Sequence, residues 1–211
     1  MKKSMIATAL IRLLIWVGAN TAQAASINTV TGKLWHVLSD STYATPENVP
    51  ATTPDVIFQV NSPINFFAQD PTTVGNWLGS GSAFNIIENT PGTLASNMSA
   101  SLIEFRGFVS VTHGQTFAVG HDDGLTLIIG ATDMGFNPAP TKVGTVATYL
   151  GPSGNFEFQM IYVECCMGEA FLRVDLPFTS APVPEPETYA LFMAGLGLMG
   201  FIARRRKNSQ A

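Results

Sequence analysis

Basic residues are scarce through most of this chain. Of its 211 residues only 12% are charged, and seven of the eleven Lys and Arg lie within the first twelve or the last eight positions. Between residues 25 and 183, four basic residues stand against thirteen acidic ones, a net charge of −9. Because nucleic-acid binding needs basic contacts to phosphates, this balance excludes nucleic acid as a partner. It is compatible with metal cations and neutral sugars.

Cysteine is equally scarce, since the two cysteines of the chain, Cys165 and Cys166, are adjacent. The CxxC spacing of metal and redox sites is absent. Neighbouring cysteines cannot cross-link distant strands, so three alternatives remain: a vicinal disulfide, an intermolecular bridge or two thiols. In an oxidising compartment we favour the vicinal disulfide, as a clamp that forces a tight turn.

Motifs of hydrolytic enzymes are also missing. The sequence has no Gly-x-Ser-x-Gly elbow and no His-Glu-x-x-His helix. Glycosidases use two carboxylates that flank the scissile bond from separate strands. Glutamates that could form such a pair with Asp122 or Asp123 are Glu104, Glu157 and Glu164, but the sequence does not show that any of them lies close enough. The sequence therefore predicts that the protein is not an enzyme.

The N-terminus has the three parts of a secretory signal. Lys2 and Lys3 are followed by an almost wholly apolar run from Met5 to Val17, and Ala22-Gln23-Ala24 supplies small residues at the cleavage site. The alternative is an uncleaved anchor, but the run is shorter than the roughly 20 residues of a spanning helix. We expect signal peptidase to cleave after Ala24.

The C-terminus combines a rigid, an apolar and a basic segment. Val183 to Glu187 is acidic and proline-rich, Tyr189 to Ala203 is uncharged and apolar, and Arg204 to Lys207 is basic. The apolar run is short for a transmembrane helix and would span only marginally. Basic residues stay on the cytoplasmic side, so the tail predicts an exported domain that a C-terminal helix holds at the membrane.

The order of these parts resembles the PEP-CTERM sorting signal. The resemblance is carried by Pro184, Glu185 and Pro186, then the apolar helix, then Arg204, Arg205 and Arg206. It implies that an exosortase, a membrane-embedded cysteine transpeptidase, processes the tail, so that the mature protein keeps no membrane helix. The expected organisation is a signal peptide (1–24), one extracytoplasmic domain (25–180) and a sorting signal (181–211).

The middle of the chain has the pattern of an all-β domain. Apolar and polar residues alternate with period two, which buries one face of each strand. The predicted strands are Thr29–Leu38, Val56–Val60, Ala83–Ile87, Ile103–Val111, Thr116–Gly120, Leu125–Ile129, Phe156–Tyr162 and Ala170–Leu176. Ser62 to Ser82 is predicted to be a long loop carrying Trp77. No segment of the middle region has a sustained series of apolar residues at the spacing of an amphipathic helix. We expect a single antiparallel, jelly-roll-like β-sandwich.

The segment Asp122-Asp123-Gly124 allows two interpretations. Asp-Gly between alternating strands is a strong hairpin signal, because glycine accepts the positive φ that such a turn requires. A hairpin does not explain the second aspartate. Adjacent carboxylates repel unless a cation neutralises them, and hard oxygen ligands suit calcium. Directing both side chains at one ion needs a kinked or cis peptide, since strand neighbours normally point to opposite faces.

The order of strands around this segment resembles the protective-antigen-type β-sandwich of bacterial toxins, glycosidases and yeast adhesins. In lectins of that family, paired aspartates joined by a cis peptide hold calcium, and the calcium binds sugar hydroxyls. Only Asp122 and Asp123 match that motif, and Gly130 stands where an acidic or amide residue often follows. The resemblance implies calcium as a cofactor and polysaccharide as a partner.

The predicted function is that of an exosortase-sorted structural protein of the cell surface or extracellular matrix. The alternative is a calcium-dependent carbohydrate-binding or adhesion module. His121, beside the aspartates, is expected at the surface, and the alternative is that it is a ligand of the site. Asp133 and Asn137 are expected to be ordinary loop residues that could approach the site. Three aromatic residues could stack on sugar rings or belong to the core: Trp35, Trp77 and Tyr149.

Overall fold

The computed structural model of the chain describes residues 28–37, 43–69, 71–166, 168–179 and 191–200. The chain divides into two compact units: residues 26–181 form one, and residues 1–25 with 182–211 form the other. The predicted signal peptide, the Pro-Glu-Pro motif and the arginine cluster lie outside the described residues.

The first unit is a sandwich of two antiparallel sheets, which confirms the predicted all-β class. Sheet A has the strand order β4-β2-β1-β5-β10-β7-β8, and β12 pairs with β5. Its strands are β1 (Thr29–His36), β2 (Val56–Asn61), β4 (Phe84–Glu88), β5 (Ser101–Val111), β7 (Leu125–Ile129), β8 (Thr132–Asp133), β10 (Gly154–Glu164) and β12 (Phe178–Thr179).

Sheet B has four strands in the order β3-β11-β6-β9. They are β3 (Ile64–Gln69), β6 (Thr116–Asp122), β9 (Val143–Thr148) and β11 (Glu169–Val174). The strands β6 and β7 follow each other in the chain but lie in different sheets. The hairpin interpretation of Asp122-Asp123-Gly124 is therefore wrong, because these residues carry the chain from sheet B to sheet A.

The main core lies between the two sheets. Alternate residues of β1, β2 and β11 are buried, as their period of two predicts. In β10 the residues from Met160 to Glu164 are buried on both faces of the sheet. Phe66 stacks on Trp77 with ring centroids 4.1 Å apart, and Trp77 stacks in turn on Tyr162 at 5.8 Å. The described members of the core fall between Val30 and Phe178, so the first unit has its own hydrophobic core.

A second, smaller cluster covers part of the outer face of sheet A. It consists of Trp35, Ala44, Leu102, Ile161 and Val163. Ala44 comes from the connection between β1 and β2, which also contains the 3-10 turn Pro46–Asn48. This connection therefore packs one end of sheet A, close to the crossing between the sheets, where the Ala44 N–H donates to the Pro138 carbonyl at 2.8 Å.

The predicted loop from Ser62 to Ser82 is instead structured. It contains strand β3 and helix α1 (Val74–Ser80), which buries Val74, Trp77 and Leu78. The helix begins where the Thr73 side chain accepts a hydrogen bond from the Asn76 N–H at 3.2 Å. A further 3-10 turn, Thr93–Ala95, precedes β5. Strand β9 was not predicted either, because its exposed residues show no buried alternation.

In the second unit, residues 191–200 are helical and exposed. They lie within the apolar run expected to form the sorting helix. Among the described residues, no helix combines the length and the hydrophobicity that a membrane crossing requires.

Candidate functional site

Asp122 and Asp123 lie where the chain leaves β6 of sheet B and enters β7 of sheet A. The peptide bond between them is cis, the geometry that the resemblance implied for paired calcium-binding aspartates. Both residues are half-buried. Their side chains approach closely enough to hydrogen-bond, and the Asp122 charge helps to raise the pKa of Asp123. The crossing thus brings two carboxylates together near the surface.

The carboxylate of Asp123 is held by sheet A. Its Oδ2 accepts a hydrogen bond of 2.7 Å from the Cys165 N–H, just after β10 ends. Burial is the main cause that raises the Asp123 pKa above its usual value, and the Cys165 hydrogen bond opposes it. A cation at the pair would favour the ionised form of this carboxyl group.

The carbonyl groups of the two aspartates are also held in place. The buried Tyr162 hydroxyl lies in hydrogen-bonding contact with the Asp122 carbonyl and with the Glu164 carboxylate. Burial and the Glu164 charge raise the pKa of Tyr162 well above its usual value, so the hydroxyl keeps its proton. From the other side, His121 Nδ1 donates to the Asp123 carbonyl.

His121 is completely buried, so the expectation of a surface histidine is wrong. Burial lowers its pKa below the usual value, which keeps the ring neutral at pH 7. Its ring makes an edge contact with Phe136 at 6.0 Å. Through Nδ1, His121 therefore supports the backbone of the crossing from inside the domain.

Gly124 allows the following loop to close over the crossing. A Cβ atom at this position would lie 2.2 Å from the Pro138 carbonyl oxygen. Its φ is not among the positive values found in the chain, so the predicted reason for this glycine is wrong. Close approach of the loop, and not turn geometry, requires it. The Leu125 N–H completes the contact by donating to the Asn137 carbonyl at 3.0 Å.

Lys142 brings a positive charge to the pair. Its Nζ lies 3.5 Å from Asp122 Oδ2 and also pairs with Glu169. Sequence reasoning missed this residue, because nothing in the local pattern around Lys142 points to an aspartate twenty positions earlier. The register of β9 against β6, in which Val143 lies opposite His121, places Lys142 there.

The other candidate side chains have partners of their own, line a different cleft or lie in the core. Asp133 accepts from the Gly135 N–H, and the Asn137 side chain bonds within its own loop. Glu104 and Glu157 line a cleft of about 390 Å³ on the outer face of sheet A, which neither aspartate lines. The three aromatic residues considered for sugar stacking are buried: Trp35, Trp77 and Tyr149.

Cys165 and Cys166 form a disulfide. The two sulfur atoms and a carboxylate oxygen of Asp123 all lie within 4.8 Å of one another. The cysteine pair and the aspartate pair, 42 positions apart in the chain, are therefore neighbours in the folded domain.

The donor set fits calcium, which takes six to eight oxygen ligands from carboxylates, carbonyls and water. Asp122 and Asp123 would hold the ion through their side chains. Two carboxylates leave most of the coordination shell to water or to hydroxyl groups of a ligand. When bound, the ion would supply a positive charge and open coordination positions.

The C-terminal residues 182–207 match the family model of the PEP-CTERM protein-sorting motif. The chain carries a PEP-CTERM sorting signal. The match contains the Pro184-Glu185-Pro186 motif and Arg204, Arg205 and Arg206, which the sequence predicted as its parts. PEP-CTERM sorting implies export, processing by an exosortase and a place in the cell envelope.

Outside the PEP-CTERM signal, comparison with solved structures identifies the fold. The PA14 domain of MpAFP antifreeze protein is 16% identical with a TM-score of 0.52, covering 72% of this chain and 89% of that one. The PA14 sugar-binding domain from an RTX adhesin is 13% identical with a TM-score of 0.52, covering 74% and 100%. No curated protein matches the sequence. The described domain has a PA14-like β-fold, as the resemblance implied.

Proposed function

We propose that this PEP-CTERM protein is a cell-surface module that binds carbohydrate through a calcium ion held by Asp122 and Asp123. The observation that carries the proposal is the meeting of these two carboxylates, half-buried and in mutual contact, at the crossing between the sheets. An apo pair of this kind is electrostatically unfavourable, because two like charges share one site. A divalent cation would remove that repulsion.

Preorganisation of the pair supports the same proposal. The Cys165 N–H orients the Asp123 carboxylate, and the Tyr162 hydroxyl and His121 hold the backbone carbonyls on either side of it. Because these contacts come from groups of the protein itself, little ordering cost would remain for the binding step. The open coordination positions of a bound ion would then accept sugar hydroxyls.

The fold adds support of a weaker kind. The RTX adhesin domain with a similar fold is described as sugar-binding, although fold alone does not determine function. A surface location would place the site among extracellular polysaccharides. Before processing, the C-terminal helix would hold the protein in the membrane, and the proline-rich stretch before it would act as a stiff spacer.

A second candidate is a structural surface protein without a small ligand. Lys142 favours it, because its ammonium group lies between Asp122 and Glu169 and supplies positive charge within the domain. In this case the lysine would take the place of the cation. Neither candidate involves a catalytic step.

Thermal unfolding of a protein of residues 25–183, which contains the whole first unit, tests the proposal. Calcium that binds the folded state must raise the melting temperature by linkage; at 100 times Kd the gain is about 2.7 kcal/mol, or roughly 5–10 °C for this size. A chelator should reverse the rise, and Asp122→Asn with Asp123→Asn should abolish it.

The control is Asp133→Asn with Asp175→Asn, which removes the same charge elsewhere and should keep the rise. If millimolar calcium shifts neither the parent protein nor this control, the structural candidate is the correct one.

A further inference from the structure

The disulfide between Cys165 and Cys166 borders the aspartate pair. Both sulfur atoms lie within 4.8 Å of a carboxylate oxygen of Asp123. Cys165 is buried, at 3% exposure, whereas Cys166 is exposed. One face of this small covalent ring is therefore anchored in the domain and the other is presented to solvent beside the site.

The sulfur atoms do not belong to a calcium shell. Calcium is a hard cation that takes oxygen ligands, while sulfur is a soft ligand. Divalent sulfur is polarizable and weakly hydrated, so it behaves as an apolar surface. The disulfide thus adds to the two carboxylates a group of the opposite chemical character.

A carbohydrate site needs such a group. Hydroxyl groups can bind an ion or hydrogen-bond donors, but the C–H face of a sugar ring gains free energy only against an apolar surface. Aromatic rings usually supply that surface. Here Trp35, Trp77 and Tyr149 are all buried, and none of these rings can stack on a ligand.

We infer that the Cys165–Cys166 disulfide is the apolar platform of the carbohydrate site, against which the ring of a sugar held by calcium at Asp122 and Asp123 packs. This inference rests on the proposed function. The ligand class is a neutral hexose unit, because the net charge of −9 between residues 25 and 183 disfavours an anionic sugar.

The platform depends on the intact disulfide. A dithiol such as dithiothreitol transfers two electrons and two protons to the S–S bond; the bond breaks into two thiols, and the reagent closes into its cyclic disulfide. Because the chain has only two cysteines, reduction acts on this bond alone. The closed ring holds the two sulfurs together as one surface, and two separate thiols lose that constraint.

The test compares sugar binding by oxidised and reduced protein of residues 25–183 at saturating calcium. The probes are glucose, galactose, mannose and fucose, each titrated by calorimetry. We expect reduction to weaken the binding of the best probe about tenfold, and reoxidation to restore it. In the oxidised protein, nuclear Overhauser contacts should join the C–H protons of the bound sugar ring to the side-chain protons of Cys166, a readout that an indirect structural role would not produce.

A variant with Cys165→Ser and Cys166→Ser serves as the matched control. It should bind sugar as weakly as the reduced protein, and dithiothreitol should not change its affinity. Melting curves of every form show whether the domain is still folded. Equal sugar affinity before and after reduction, with calcium still raising the melting temperature, would overturn the platform and leave the calcium site intact. Absence of both calcium and sugar binding in the oxidised protein would overturn the proposed function and the platform together.

Discussion

The backbone N–H of Cys165 donates a hydrogen bond of 2.7 Å to Oδ2 of Asp123. The two residues meet because β10 runs beside β7 in sheet A, and the Val163 N–H donates to the Gly124 carbonyl at 3.1 Å just before that point. The end of β10 in sheet A thus orients the carboxylate of Asp123, which follows directly after β6 of sheet B.

Tyr162→Phe should weaken calcium binding and destabilise the domain. The substitution keeps the ring stacked on Trp77 but removes the hydroxyl that contacts the Asp122 carbonyl and the Glu164 carboxylate. Loss of a hydrogen bond to a charged group costs about 1.5–3 kcal/mol. Chemical denaturation and calcium titration would measure the two effects.

The matched control is Tyr149→Phe, since this hydroxyl is also buried but donates to the neutral Pro152 carbonyl at 3.0 Å. It should cost about 0.5–1.5 kcal/mol and leave calcium affinity unchanged. Equal calcium affinity in both variants would show that Tyr162 does not position the site.

Lys142→Met should strengthen calcium binding. The Lys142 ammonium group lies 3.5 Å from Asp122 Oδ2 and repels a cation bound to the same carboxylate. Because the side chain is 59% exposed, solvent screens the effect, and we expect a gain of about twofold to fivefold at low salt. Calcium titration at two ionic strengths would measure it.

Lys33→Met is the control, because Lys33 lies on the outer face of sheet A opposite Glu104. A calcium affinity that falls in Lys142→Met would contradict the competition and would mean that the lysine supports the site.

On acidification, calcium affinity should begin to fall at a higher pH than it would at a site whose aspartates have ordinary pKa values. Burial raises the pKa of Asp123 above 3.8, so protons compete with calcium as the pH falls through that raised pKa. Calcium titrations between pH 4 and 7 would show this. An affinity that stays constant down to pH 4 would exclude Asp123 as a ligand with a raised pKa.

The same shift determines how Asp123 affects stability without calcium. A carboxyl whose folded pKa is raised contributes stability that is present below its unfolded pKa and lost as the pH rises through the folded pKa. Asp123→Asn should therefore raise the melting temperature of the calcium-free protein at pH 7 but not at pH 3. Glu88→Gln, distant in sheet A, serves as a control of equal charge change. If Asp123→Asn instead lowered the melting temperature of the calcium-free protein at pH 7, the expected direction of the effect would be wrong.

Gly124→Ala should destabilise the domain by about 1–3 kcal/mol, the usual cost of overpacking. The new Cβ would lie 2.2 Å from the Pro138 carbonyl oxygen and force the loop away from the crossing. Gly144→Ala in β9 is the control, because no heavy atom lies within 4 Å of its Cβ position. Urea unfolding of both variants tests this, and equal stability of the two would show that the loop yields without cost.

Most of the fold could be predicted from strand periodicity. Strands β2 and β11 bury alternate residues against the core, and that burial imposes a period of two on their sequences. Strands β5 and β10 follow it only in part, because Ser101 to Phe105 and Met160 to Glu164 are buried on both faces of sheet A. Strand β9 shows no such pattern, because its residues stay mostly exposed at the edge of sheet B. Helix α1 was missed although Val74, Trp77 and Leu78 have helical spacing, because a single seven-residue helix is lost among turn-forming residues.

The candidate site was predictable only in part. Asp122 and Asp123 stood out because two adjacent acids before a glycine exceed what a turn needs. No local signal placed Lys142, Tyr162 or Cys165 beside the aspartates, since these contacts depend on strands that are far apart in the chain.

The sequence alone determined the export route, the all-β class and the adjacent pairs of aspartates and cysteines, because each is written in consecutive residues or in a short period. Only the tertiary structure decided that Asp122 and Asp123 cross between sheets, that His121 is buried and that the disulfide borders Asp123. The sheet to which a strand belongs, and its contacts with distant strands, depend on which pairings bury the most apolar surface in the whole core. A short stretch of sequence does not contain that information.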